Sequence, residues 1–148
     1  MNFFYYIFHF IYYPCVGLTI ISDYKYSYTN ITIMKYIFSL FVFLNASYIQ
    51  YNIHLTLEKQ NPVEQNEIKP IPYGYWIFNY FSCPNSIIEI IIYLSFFLTS
   101  HRTSAMASLL VWVFTNQSLS ALLNHRWFCR YYKDSYPTKR RALIPFIL

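Results

Sequence analysis

The chain has 148 residues, of which 56% are hydrophobic, 23% aromatic and only 11% charged, with a net charge of +5 and a pI near 9.1. Soluble domains carry about 25% charge, so a water-soluble body is excluded: a fold this small cannot bury so much apolar surface, and lipid is the solvent that suits it. The positive charge gathers at the C-terminal end beside apolar runs, which reads as a membrane-topology signal and excludes a nucleic-acid surface.

In chain order, four apolar segments approach the length of about 20 residues that a hydrocarbon core demands. The first, Phe3 to Ile21, is interrupted by Pro14 and contains His9; it lacks a basic start and a small-x-small cleavage site, so it reads as a retained span and not a signal peptide. The second, Ile33 to Leu55, carries Asn45, Gln50, Asn52 and His54. Glu58 to Pro72 is polar, bounded by proline and without periodicity, and so predicts a connection. The third span, Trp76 to Thr99, is broken by Cys83-Pro84-Asn85, and the fourth runs from Ala105 to His125, with a tight Ser100 to Ser104 hairpin between them. After His125 comes a basic tail whose apolar end, Ala142 to Leu148, is too short to span and is expected to lie at the headgroups or pack on the bundle. The fold expected is all-α: a polytopic membrane helix bundle of about four transmembrane helices with an interfacial C-terminal tail.

Arg126, Arg130, Lys133, Lys139, Arg140 and Arg141 stand against a single Asp134 in that tail, which places it in the cytosol by the positive-inside rule. Counting back puts the N-terminus and the Glu58–Pro72 loop in the cytosol, with Ser22–Asn30 and Ser100–Ser104 in the lumen. Cys15, Cys83 and Cys129 cannot all pair and have no metal-ligand spacing, so reduced thiols and no metal are expected. Of the glycosylation triplets at Asn30, Asn45 and Asn116, the last two fall inside spans and the first lies close to the bilayer, so none is read as modified.

Chemistry is sought among polar groups inside the membrane, where an ionised side chain costs on the order of 3 kcal/mol unless paired or hydrated. Glu89 is the one such charge in an apolar run, and a helix starting after Pro84 puts Asn85 and Glu89 on one face. Asn116, Ser120 and Asn124 form a second stripe, with Gln117 and His125 beside it; Asn45, Tyr48, Asn52 and Thr56 form a third. Interhelical hydrogen-bond glue is the plain reading of each. Three stripes near the cytosolic ends, close to basic residues and among rings, instead read together as one polar pocket for a phosphorylated cofactor and a lipid. Gly17 and Gly74 are the only glycines, so neither a G-x-G-x-x-G fingerprint nor a P-loop is present.

Four blocks carry a resemblance: Ile71-Pro72-Tyr73-Gly74-Tyr75-Trp76; Ser82-Cys83-Pro84-Asn85-Ser86-Ile87-Ile88-Glu89; Asn116 to His125 (NQSLSALLNH); and Tyr136 to Phe146 (YPTKRRALIPF). In this order they resemble the C-terminal domain of the steroid 5α-reductase superfamily, and the first and third are most similar to its polyprenol reductase branch. Very-long-chain trans-2-enoyl-CoA reductases share S-C-P-N and the I-P-F ending and are the alternative. The resemblance covers residues 45–148, with Gln50 to His54 similar to a short upstream motif, and residues 1–44 by hydropathy alone. It divides the chain into two spans (1–56), a cytosolic loop (57–72) and the reductase-like domain with two spans and a basic tail (73–148).

The resemblance implies a multi-pass enzyme of the endoplasmic reticulum membrane, C-terminus cytosolic. It would use NADPH to saturate a lipid carbon–carbon double bond, on a polyprenol-type substrate on the way to dolichol for protein N-glycosylation. It implies NADPH contacts at Asn52, Asn85 and Glu89, with His125, Arg140 and Arg141 completing the cytosolic mouth of the pocket; it assigns no catalytic residue. Ser86 and Phe128 stand where family members usually have tyrosine. Family enzymes are roughly twice this length and carry their substrate-side acid and tyrosine on earlier spans. The expectation is therefore a chain truncated at its start, with partner-supplied helices or a non-catalytic homologue as the other possibilities.

Overall fold

The structure, a computed structural model, describes residues 14–21, 33–60, 71–100, 103–137 and 139–143. Most of the first expected span with His9, the Ser22–Asn30 loop, the centre of the Glu58–Pro72 connection and the last five residues of the tail lie outside the described residues.

Among the described residues the regular elements are helical. Residues 14–21 form a helical stretch, α1; three helices follow, α2 (Ile33–Gln60), α3 (Pro84–Thr99) and α4 (Ser104–Tyr132). At a rise of about 1.5 Å per residue, the 28 residues of α2 and 29 of α4 exceed the roughly 30 Å of a hydrocarbon core, and both are apolar enough to cross a membrane. Most of the first expected span lies outside the described residues, and the third is shorter than expected: α3 has 16 residues, about 24 Å. The break read at Cys83-Pro84-Asn85 is its physical cause. Pro84 occupies the first turn, where its missing N–H is not needed, and Trp76–Asn79 forms a separate 3-10 turn instead of the start of one long span.

α4 also outruns its expected end at His125 by two turns, so Arg126 and Arg130 belong to the helix and not to a tail. Cations in the last turns of a helix are favoured by its dipole. Lys133, with φ of +43°, then ends it.

Buried small residues set the packing. Ser39, Ala46 and Ile53 recur every seven residues along α2, a spacing that keeps one seam facing a partner helix. Lys35 Nζ donates to the Ser100 carbonyl at 2.8 Å and Gln50 reaches Asn85, so α2 and α3 run antiparallel. α4 returns along the other side of α3 through Met106, Val113, Ala121 and Phe128, and Val16 of α1 joins Tyr93 and Val113 in a small apolar cluster. The outer faces are left apolar and exposed, as at Phe38, Phe41 and Leu44 on α2 and Val111, Trp112 and Phe114 on α4. Such faces suit lipid or further helices.

After α4 the chain folds back. The Ser82 N–H donates to the Arg141 carbonyl and the Arg141 N–H to the Tyr80 carbonyl, both at 2.9 Å, forming an isolated parallel bridge between Phe81 and Arg141. Tyr136, Arg140, Ala142 and Leu143 are buried, so through Leu143 the tail packs on the bundle.

The connection from α2 ends in a clamp: Gln60 Oε1 accepts the Tyr73 N–H at 3.1 Å while its Nε2 donates to the Tyr73 carbonyl. Gly74 follows with φ of +88°, and a Cβ there would meet only ordinary contacts at 3.6 and 3.8 Å. Backbone strain alone should therefore make Gly74→Ala destabilising by about 1 kcal/mol. Thermal unfolding in detergent should show a midpoint lower by about 3 °C; an unchanged midpoint would remove the need for glycine.

Candidate functional site

The seam where α3 meets α4 and the returning tail carries Glu89, Gln117, His125 and Arg140 of the expected polar residues. Asn85 and Glu89 do project from one face of α3, a turn apart. Gln50 of α2 donates to Asn85 Oδ1 at a long 3.4 Å, and Gln117 of α4 donates to Glu89 Oε2 at 2.8 Å. Helix α3 is thus hydrogen-bonded to both neighbours through the two residues that its start at Pro84 brings into line.

Asn52 is not part of this contact. Its Nδ2 donates to the Tyr48 carbonyl of its own helix at 2.8 Å, as Asn45 does to Phe41. The residue on the α2 seam is Gln50, set between Ala46 and Ile53; that spacing carried the signal, since polar residues on a helix reach a neighbour only beside the small residues of its packing face. On α4 the stripe of Asn116, Ser120 and Asn124 is exposed, and the residues beside it, Gln117 and His125, turn toward α3. Val113, Ala121 and Phe128 hold that face inward, which fixes the rotation of the helix.

About 12 Å along α4 from Gln117, His125 anchors a second cluster. Its Nδ1 lies 2.6 Å from Ser82 Oγ, and the Tyr136 hydroxyl donates to the same oxygen at 2.5 Å. The His125 ring meets Tyr136 edge-on at 5.8 Å, Phe128 stacks on Tyr136 within 10° of parallel, and Cys129 Sγ stands 3.6 Å from His125 Nε2. Burial pushes the Tyr136 phenol above its ordinary range, partly offset by the Ser82 hydrogen bond and the Arg140 charge, so it keeps its proton at physiological pH. Phe128, in a position where tyrosine was expected, is a buried packing ring, and Ser86 is buried as well.

Arg140 packs its guanidinium carbon 5.9 Å from the Tyr136 ring centre and is 7% exposed. Its Nε and Nη1 are buried with no hydrogen-bond partner among the described residues. Buried charges are ordinarily paired, so this one fits a site for an anion. Arg141 is exposed and enters the bridge through its backbone, and its charge lies close enough to act on His125 at the edge of the cluster. No group of three or more His, Cys, Asp or Glu side chains able to hold a metal occurs among the described residues.

The sequence profile of the family described as 3-oxo-5-alpha-steroid 4-dehydrogenase matches residues 1–148. The chain belongs to this steroid 5α-reductase family. Relatives of the same kind include the polyprenal reductases of Mus musculus and Homo sapiens, 31% and 32% identical over 96% of this chain, which corresponds to 47% and 49% of theirs. The polyprenal reductase of Caenorhabditis elegans is 40% identical over 53% of this chain and 25% of its own length. This member of the steroid 5α-reductase family thus spans about half the length of the mammalian relatives it matches. The resemblance read from the four sequence blocks is the family the whole chain matches.

Proposed function

We propose that the chain holds NADPH at the seam between α3, α4 and the returning tail, and serves the reduction of a polyprenal-type lipid at its conjugated carbon–carbon double bond. The observation that carries this reading is Arg140, a buried guanidinium with two donor nitrogens awaiting an anion, in the tail segment whose next residue pairs with Phe81 just before α3. Arg140 and the α3 N-terminus suit the cofactor's phosphates. Asn85 and Glu89 suit its ribose or amide groups, and His125 lines the mouth. NADPH, when bound, supplies the hydride. An aldehyde fits the chemistry better than the alcohol, because a conjugated carbonyl polarises the double bond toward hydride addition and an allylic alcohol does not; the names of the relatives support the same substrate class. Residues of this chain hold the cofactor away from water against the apolar face that meets the lipid.

The reading places the protein in the endoplasmic reticulum membrane with its basic end in the cytosol, supported by Arg126, Arg130, Lys133, Lys139 and Arg141 near one end of α4. Membranes carrying the chain, given NADPH and either polyprenal or a trans-2-enoyl-CoA, should saturate polyprenal. Saturation of the thioester alone would transfer the substrate assignment to fatty-acid elongation. Binding of NADPH without turnover of either would make the chain a cofactor-holding part of a larger assembly, in keeping with its spanning about half of its relatives.

A further inference from the structure

Ser82, buried at the turn before α3, lies between two side chains that are far from it in sequence, His125 and Tyr136. A hydroxyl has one donor and two acceptor sites. If Ser82 donated to Tyr136, the phenol hydrogen would be left in the interior with no acceptor among the described residues, at a desolvation penalty for a buried polar group. With Tyr136 donating to Ser82, the Ser82 hydrogen is free for His125 Nδ1, and all three groups are satisfied. Burial, which keeps the phenol protonated, favours the same direction. In the neutral ring, an acceptor at Nδ1 leaves the proton on Nε2. That N–H points to Cys129 Sγ at 3.6 Å, a weak acceptor on an exposed residue that a better one can displace.

We infer that Ser82, held by Tyr136, is a positioning residue that fixes His125 in the Nε2–H tautomer, so that the site takes a hydrogen-bond acceptor at His125, a phosphate or carbonyl oxygen of the ligand. This rests on the dinucleotide reading for the ligand's identity but not for the state of the ring. Were His125 Nδ1–H to donate to Ser82 alongside Tyr136, the buried Ser82 hydrogen would be left without an acceptor among the described residues.

The test uses the full chain in detergent with 15N-labelled histidine. His9, His54, His101 and His125 are the histidines of the sequence, and His125→Asn identifies the signal of interest. At neutral pH without nucleotide, the His125 nitrogens should report Nε2–H. Ser82→Ala and Tyr136→Phe should each convert this to a mixture of tautomers, and Ser82→Thr should restore it. NADPH should bind about fivefold more weakly to Ser82→Ala, the loss of roughly one oriented hydrogen bond, and Ser82→Thr should recover most of that. An Nδ1–H tautomer in the wild type, or a tautomer unchanged in both Ser82→Ala and Tyr136→Phe, overturns the inference. A wild type that shows Nε2–H but never binds NADPH overturns the dinucleotide reading and leaves the positioning role standing.

Discussion

Arg140→Met should weaken NADPH binding by about a hundredfold while leaving the nucleotide-free protein as stable as before, or more so. Two guanidinium donors are buried without partners, and charge-assisted hydrogen bonds contribute about 1.5 kcal/mol or more each, so losing both approaches two decades in affinity. The stability half of the prediction separates a binding role from a structural one. An uncompensated buried charge is unfavourable, and an apolar side chain of similar length removes that penalty while retaining contact with the Tyr136 ring. Arg140→Lys should not restore affinity, because an ammonium lacks the planar fork. Nucleotide titration and thermal unfolding on the same preparations check both halves. A destabilised protein with unaltered affinity would show that the guanidinium serves the fold.

Glu89→Ala should lower NADPH affinity by about thirtyfold, close to 2 kcal/mol, the size of a hydrogen bond to a charged group. The carboxylate is half-buried on α3 within the bundle, and Gln117 orients it from α4 through a 2.8 Å hydrogen bond. Gln117→Leu, which leaves the carboxylate in place but unguided, should have a smaller effect of the same sign. Glu89→Gln preserves shape and removes charge, so its affinity measures how much of the effect is electrostatic. Equal affinity for wild type and Glu89→Ala, by fluorescence titration in detergent, would remove Glu89 from the site.

Much of this arrangement was legible in the sequence because a few residues dictate local geometry. Pro84 fixes where α3 starts, and that start alone aligns Asn85 with Glu89. The excess of apolar side chains fixes the solvent. Helix ends were less legible: Arg126 and Arg130 on α4, and Glu58 and Lys59 on α2, read as loop charges yet continue their helices, because charge outside the apolar stretch does not oppose helix formation. Helix rotation was also hidden. Asn52 and Gln50 are equally polar, and only the seam of Ser39, Ala46 and Ile53 decides which of them meets α3. The Ser82, His125 and Tyr136 cluster could not be read at all, since it depends on the tail returning to pair Arg141 with Phe81, a contact that no periodicity encodes.

The claim on which everything else depends is that this site binds a reduced dinucleotide phosphate, and equilibrium titration of the purified chain in detergent with NADPH addresses it directly. Saturable binding of one NADPH per chain, lost in Arg140→Met and weakened in Glu89→Ala, is the predicted result. Heats and fluorescence indistinguishable from buffer, in a protein whose helices remain folded, would contradict it.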